Sequence, residues 1–507
     1  MGTMRPARSS SLWLDKPDRP DHPPLEFDNQ ADVVVVGAGI VGLTTAAQLT
    51  RAGRRVIVLD RRDVGAVTTG NTTAKATVLH GLRYARIIGK HGVDVARAYA
   101  AANGAGLRWL MDEGRKADAD VKTMPAYTYV NEPRMEQKIH DEVAAMGSAG
   151  VTAAFTAETG LPFPVIAAVR VDDQAQLDPI PHVDRLAREV IDAGGAVHGN
   201  TAVVSVRSGR PCRVTTSAGR TLRSDHVVLA TGMPFTDRGL FFARLVPMRS
   251  YGVALPLDGP APEGMYLSAD QVTRSVRTAA GPGDRRYLVV GGEGHKVGQG
   301  SPILPRFEAL ASWAQEHFSV REATHRWSAQ DYRPADLLPY IGPAWPGTDR
   351  VLTATGFDKW GMTNGTAAGL ALADAITNIQ PPWLSTFSSN RLDLLASAGS
   401  IASANVDVAV HLAAGWLRPD VAARTPKEGE GLIDRRGLTK VARSCVDGTT
   451  HTVSARCTHL GGIVGWNDAE QSWDCPLHGS RFAPDGSVLE GPATRPLPTS
   501  EDGGLSD

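Results

Sequence analysis

The chain has 507 residues, too long for one ordinary hydrophobic core, so two or three domains are expected, each able to bury a substantial interior. Its 53 Lys and Arg side chains balance 54 Asp and Glu, which gives no basic face for nucleic acid and no acidic tail, and leaves small molecules or proteins as partners. Four cysteines are too few for a disulfide framework, and the sequence offers neither a signal-peptide core nor a membrane-length apolar run, so a reducing, cytoplasmic setting is the expectation.

Residues 1–30 are Pro-rich and polar and read as a flexible N-terminal segment. The first packed structure is "ADVVVVGAGIVGLTTAAQLTRAGRRVIVLD", a strand, turn, helix, turn and strand. Valines 33–36 are apolar on both faces, as a buried parallel strand requires, and Ala46, Ala47 and Leu49 give the helix a thin packing side. Gly37 and Gly39 permit a tight turn and close approach to a pyrophosphate, and Gly42 lets the helix pack closely. Asp60, eighteen residues past Gly42, would accept from a ribose hydroxyl. The bland reading is a glycine turn without a nucleotide, and the motif alone does not separate FAD from NAD.

A Thr-rich stretch, "AVTTGNTTAKATVLHG", follows at 66–81. Then "RLAREVIDAGGAVHGNTAVVSVRSG" reads as helix, glycine stop and strand, and "RTLRSDHVVLATG" as strands returning to the sheet. Between about 240 and 330, apolar runs such as "RSYGVALPL" and "RRYLVVGGE" are separated by Gly and Pro turns, which predicts an antiparallel sheet inserted in the α/β core. A strand and helix in "RVLTATGFDKWGMTNGTAAGLALADAI" precede a Ser- and Ala-rich passage that marks the domain junction. From about 425, short strands and Gly or Asp turns predict a small all-β domain.

"VVLATG" at 227–232 and "VLTATGFDKWGMTNGTAAG" at 351–369 resemble signature segments of flavoproteins in the D-amino-acid oxidase and glycine oxidase superfamily. The resemblance implies FAD, with Thr231, Gly232 and Gly356 in the cofactor-binding segments. It also implies a helix starting at Gly361, Met362 and Thr363 beside the flavin's pyrimidine edge, where a helix dipole stabilises the negative charge of reduced flavin. The 66–81 stretch matches the family's segment around pyrophosphate and ring, which adds Arg61, Thr69, Gly70, Asn71 and Thr72 to the cofactor-binding set. Relatives often carry histidine where this chain has Asn71, so covalent attachment there is not expected.

In the C-terminal part, Cys457 and His459 form C-x-H and Cys475 and His478 form C-x-x-H, with fifteen residues between the pairs. A Rieske 2Fe-2S centre needs two thiolates on one iron and two imidazoles on the other, and this order supplies one of each from both loops. A zinc site is the alternative, although zinc modules usually group a Cys pair and then a His pair. The flanks "CTHLG" and "CPLHGSRF" resemble Rieske domains, with Gly462 and Leu477 where respiratory and photosynthetic members have a disulfide that ties the loops. That absence resembles the ferredoxin-type domains of oxygenase systems and implies a potential toward the lower end of about −150 to +300 mV. Cys212 and Cys445 read as buried small residues.

The resulting architecture is an α/β, Rossmann-like FAD domain over 31–388 with the inserted sheet, a linker over 389–424 and a Rieske domain over 425–500. The resemblance implies oxidation of a C–N bond of an amine or amino-acid-like substrate, with electrons relayed through the cluster to an external acceptor such as a redox protein partner. Arg249, Tyr251, His295 and Arg333 are the candidates for binding or catalysis, since a carboxylate calls for an arginine fork. Lys75, His80, Lys359 and Trp360 are further residues within reach of the flavin. Two alternatives remain open at this point. An NAD(P)H-dependent reductase for a partner oxygenase would need a second glycine-rich motif, for which "GGEGHKVG" at 291–298 is a poor match. A redox sensor or electron-transfer module without enzymatic activity would leave the flavin pocket without a chemical role.

Overall fold

The computed structural model describes residues 7–300, 302–391, 424–436 and 439–499. Apart from residues 389–391 and 424, the expected linker lies outside the described residues.

The main domain is built on an eight-stranded sheet: six strands follow the path Tyr340–Pro343, Val351–Thr355, Thr221–Leu229, Asn29–Val36, Val56–Leu59, Ala196–His198, while Cys212–Thr216 pairs with Thr221–Leu229 and Val203–Arg207 with Cys212–Thr216. The opening strand runs parallel to both neighbours, with Val33 opposite His226 and Val56. Valines 33–36 are buried, as strands covered on both faces must be. The helix Ile40–Arg51 packs against Gly361–Ile376, which also meets the long helix Val93–Lys116. The helix Pro179–Asp192 begins six residues before the stretch read as helix from sequence: the Asp178 side chain caps it by accepting from the Ile180 N–H at 3.0 Å.

The second sheet is larger than the 240–330 insertion expected from sequence. Nine strands run in the path His325–Pro334, Leu245–Pro256, Arg286–Lys296, Arg274–Ala280, Met265–Ser268, Lys122–Val130, Ala167–Gln176, Lys75–Ala76, with Ala154–Thr156 beside Ala167–Gln176. The earlier strands enter through the pairing of Met265–Ser268 with Lys122–Val130, which is parallel in a sheet otherwise antiparallel. A parallel partner more than a hundred residues away leaves no local turn signal in the sequence. The segment "GGEGHK" lies within Arg286–Lys296, paired to Leu245–Pro256, so it is sheet and not a phosphate loop ahead of a helix.

The N-terminal segment is a correction as well: its described part is packed, not flexible. Leu12 and Trp13 are buried in the main core, and the Trp13 indole donates to the Thr72 carbonyl at 2.7 Å. The Ser11 hydroxyl donates to the Gly70 carbonyl, and Arg19 pairs with Asp184 at 2.9 Å. Polar, Pro-rich composition concealed two apolar anchors that hold the Thr-rich loop from outside.

The C-terminal domain has a three-stranded sheet over Gly431–Arg436, Thr439–Val446 and Thr449–Ser454, and a four-stranded one over Gly465–Asn467, Ser472–Asp474, Arg481–Phe482 and Val488–Glu490. Trp473 and Phe482 are fully buried in its own small core. Cys212 is buried as expected, whereas Cys445 is only half-buried, with its thiol donating to Glu428 at 3.5 Å. No described helix is long and apolar enough to cross a membrane.

Trp13→Ala is expected to cost about 3–5 kcal/mol, the usual range for truncating a buried aromatic. A lower melting temperature together with faster release of bound cofactor would show that the segment braces the loop at Thr72; an unchanged melt would remove that role.

Candidate active site

A cavity of about 900 Å³ opens between the two main sheets. Its glycine end follows the sequence reading. Gly37 adopts φ +109°, and a Cβ on Gly42 would stand 1.9 Å from the Gly37 carbonyl oxygen, so no side chain fits between turn and helix. The Asp60 carboxylate accepts from the Ala38 N–H at 2.7 Å and the Arg62 N–H at 2.8 Å, tying the end of one strand to the turn of another. Burial raises its pKa, and those two backbone bonds act against the rise. Asp60 and Arg61 line the cavity with Gly37 and Gly39.

Thr69, Asn71, Thr72, Thr231 and Gly232 also line the cavity. The Thr69 hydroxyl accepts from the Ile40 N–H at 3.1 Å. The Asn71 amide donates to the Val67 carbonyl at 2.8 Å, a role within its own loop. Gly42, Gly70, Gly356 and Thr363 do not line the cavity but stand behind it. Gly70 meets Leu14 of the N-terminal segment, and Gly356 packs against Leu245 and Pro334.

The helix Gly361–Ile376 begins at the cavity with Gly361 and Met362, and no side chain caps its first turn. Its N–H groups and dipole therefore offer positive potential to a ligand. The Thr363 hydroxyl donates to the Thr77 carbonyl at 3.1 Å. His80, stacked on Trp360 with ring centroids 4.4 Å apart, takes the Tyr99 hydroxyl at Nδ1 and meets the Thr77 carbonyl at Nε2. Burial pushes its pKa well down, so it is a neutral imidazole with both nitrogens engaged.

The four substrate candidates divide. Tyr251 and Arg333 line the cavity, and Arg333 is half-exposed and pairs with Asp358 at 3.1 Å. Arg249 and His295 are corrections, because neither lines it. The Arg249 guanidinium is buried and donates through Nε to the Glu470 carboxylate at 2.8 Å. His295 accepts the Tyr251 hydroxyl at 2.7 Å and donates to the Lys296 carbonyl. Sequence reasoning missed Arg86, Lys138, Gln330 and Asp331, all of which line the cavity. Arg86 and Lys138 sit on the helices Tyr84–His91 and Glu136–Ser148, and only the folded chain brings those to the opening.

The two C-terminal loops have matching backbone turns. Cys457 N–H donates to the Gly462 carbonyl and Gly461 N–H to the Cys457 carbonyl; Cys475 N–H donates to the Ser480 carbonyl and Gly479 N–H to the Cys475 carbonyl. Both thiols are buried in the domain's small core, and the His459 and His478 rings lie 5.1 Å apart. His459 Nδ1 is buried without a hydrogen-bond partner among the described residues, which leaves it free to bind iron. Among the described residues no three His, Cys, Asp or Glu side chains converge on one ion position, and a two-iron cluster divides its ligands two and two. Leu477 fills the space of the missing strap: a Cβ on Gly462 would meet its Cδ1 at 2.6 Å and the Cys475 sulfur at 3.2 Å.

These loops face the main domain. The Gly479 carbonyl accepts from Gln330 Nε2 at 2.8 Å, and His459 Nε2 stands 2.9 Å from Asp237. Phe242 packs edge-on to His478 at 5.4 Å. Glu470 is shared between Arg249, the Ser328 hydroxyl at 2.7 Å and Arg481 at 3.3 Å. Burial alone would raise the Glu470 carboxyl, but the Arg249 and Arg481 guanidiniums and the Ser328 hydroxyl hold it at about 2.

Residues 32–375 match the model of the FAD dependent oxidoreductase family. The chain belongs to that family. Residues 423–501 match the Rieske [2Fe-2S] domain, so FAD and a 2Fe-2S cluster are its cofactors, and the residues described above fit both groups. YhfW of Bacillus subtilis (strain 168), whose name is that of a Rieske 2Fe-2S iron-sulfur protein, is 35% identical over 493 residues, 96% of each chain. Glycine oxidase from Geobacillus kaustophilus shares the fold, with a TM-score of 0.59 at 16% identity over 71% of this chain and 99% of that one. Cytochrome b6-f complex iron-sulfur subunit 3 of Nostoc is 61% identical over 41 residues, 8% of this chain and 23% of that protein. That likeness is to a photosynthetic subunit, so the absent strap does not by itself sort the domain with oxygenase systems. The chain is an FAD-dependent oxidoreductase carrying a Rieske [2Fe-2S] domain.

Two outcomes follow for the cluster loops and their docking. Gly462→Ala, which forces a methyl against Leu477, is expected to destabilise the Rieske domain by about 1–3 kcal/mol and to lower iron per chain on purification. Glu470→Gln strands the buried Arg249 charge and is expected to weaken domain docking by about 3–5 kcal/mol, seen as faster hydrogen exchange over 298–303 and 465–482. Because the Glu470 pKa is depressed on folding, its contribution is present above the ordinary carboxylate pKa and is lost as pH falls toward about 2.

Proposed function

We propose that the protein oxidises a C–N bond of an amine or amino-acid-like substrate and delivers the electrons through its Rieske cluster to an external acceptor. When bound, FAD accepts the hydride equivalent and the cluster carries electrons singly. The observation that carries the reading is that Leu489, Glu490, Gly491 and Ala493 of the Rieske domain form part of the cavity wall. Gln330 supports it further: the same side chain borders the cavity and donates to Gly479, the neighbour of the ligand His478. The cavity and the domain that would carry the cluster thus share a wall.

The chain's own residues suit an anionic amine. Arg333 and Arg86 bring guanidiniums to the cavity, and burial, with the Arg83 and Arg333 guanidiniums adding to it, lowers the pKa of Arg86. A substrate carboxylate would bind between them, and Tyr251, with its hydroxyl committed to His295, would form part of the wall. Burial raises the Tyr251 phenol, so it stays protonated.

The test is anaerobic mixing of the purified holoenzyme with amines, amino acids and NAD(P)H, followed by absorption and low-temperature electron paramagnetic resonance. Flavin bleaching by an amine followed by a reduced Rieske signal is expected. In Cys457→Ser, bleaching should persist while that signal disappears. Arg333→Ala should raise KM about 10- to 100-fold for a carboxylate substrate, in line with about 1.5–3 kcal/mol for a hydrogen bond to a charged group. Bleaching by NAD(P)H and by no amine would overturn the reading.

A further inference from the structure

Lys75 occupies a two-residue edge strand, paired through Gln176 to Ala167–Gln176, and it lines the cavity with Leu267, Ser275 and Gly291 of the second sheet. Its ammonium has one protein acceptor, the Tyr266 carbonyl at 2.9 Å, and no ion-pair partner among the described residues. The charged group nearest in effect is a second cation, Arg277, on the adjoining strand Arg274–Ala280. That guanidinium is buried, donates to the carbonyls of Thr73, Ala74, Leu177 and Thr278, and lies over the Trp13 ring at 5.0 Å. Tyr266, on the strand beside it, contributes only its carbonyl, because its hydroxyl is given to Thr159. A charged Lys75 would therefore be a poorly solvated cation beside another cation, and it relaxes by losing its proton.

Hydride loss from the carbon next to an amine needs the nitrogen lone pair, and an alkylammonium, with a pKa of about 10.4 when unperturbed, has none at neutral pH. We propose that Lys75 is the proton acceptor for the substrate ammonium in this cavity. The proton passes from substrate nitrogen to Lys75 Nζ, leaving a neutral amine and a lysine ammonium held by the Tyr266 carbonyl; no electron moves in this step, and the proton leaves to solvent between turnovers. The inference rests on the amine reading above. Two other candidates are less suited. His80 has both ring nitrogens engaged, and both Asp331 oxygens accept backbone N–H groups, from Tyr332 and Lys359. Neutral Lys75 keeps a free lone pair. Burial, with Arg277 alongside, holds it at about 7.

Two measurements test this, and the first needs no turnover. Reductive methylation with ¹³C-formaldehyde, with the Lys75 signal assigned by its loss in Lys75→Met, is expected to show that amine titrating near neutrality while surface lysines titrate near 10. Titration with the surface lysines would overturn the inference whatever the substrate proves to be. Second, anaerobic flavin reduction by an amine should fall below neutral pH in the wild type. In Lys75→Met, checked for flavin content and melting temperature, it should be slower by about 100-fold or more at pH 7 and recover by about tenfold per pH unit as free amine accumulates. A variant with the wild-type rate and pH profile, or Asp331→Asn reproducing the defect while Lys75→Met does not, would reject Lys75 as the acceptor. If no amine bleaches the wild-type flavin, the functional reading fails while the titration still reports on Lys75.

Discussion

The arrangement of two redox domains around one cavity depends on a buried charge network at their junction. Arg249 from the main domain and Arg481 from the Rieske domain meet on Glu470, while Arg481 also reaches Asp474 at 3.0 Å and Glu490 at 2.9 Å. Removing such charges from water is costly, and the cost is offset only when each finds a well-placed partner. The network therefore specifies one docked geometry: a shift of the Rieske domain would leave the Arg249 guanidinium unpaired in the interior. Glu490 belongs both to this network and to the cavity wall, so docking and site assembly are one event.

The strand His325–Pro334 transmits that geometry to the cavity. Ser328 binds Glu470, Trp327 donates to the Asn71 carbonyl at 2.9 Å, and Gln330 holds Gly479. Alternating side chains of a strand point to opposite faces, and here they divide the work between cofactor loop and cluster loop. Among the described residues Gln330 Oε1 is buried without a partner, an acceptor available to a bound group.

The cofactor motifs were legible because their chemistry is local in sequence. Gly37, Gly39 and Gly42 with Asp60, and the two Cys and His pairs, carry their meaning within a few tens of residues. The fates of Arg249 and Arg333 were not legible. Arg249 finds a partner 221 positions away, and nothing in "PMRSYG" distinguishes an arginine facing a substrate from one facing a second domain. The same limit applied to the second sheet, whose early strands join by a distant parallel pairing, and to Trp13, whose partner is a backbone carbonyl. Local pattern reports which element forms, and long-range burial decides what a polar side chain meets.

The packing of Leu477 against Gly462 has a consequence for how the protein matures. The cluster loops are held by van der Waals contact and paired backbone turns rather than a covalent tie, and none of the four cysteines is in a disulfide. Maturation therefore involves ligation without a preceding oxidation: the polypeptide needs no thiol oxidase or disulfide isomerase. A strongly reducing environment keeps Cys457 and Cys475 ready for iron.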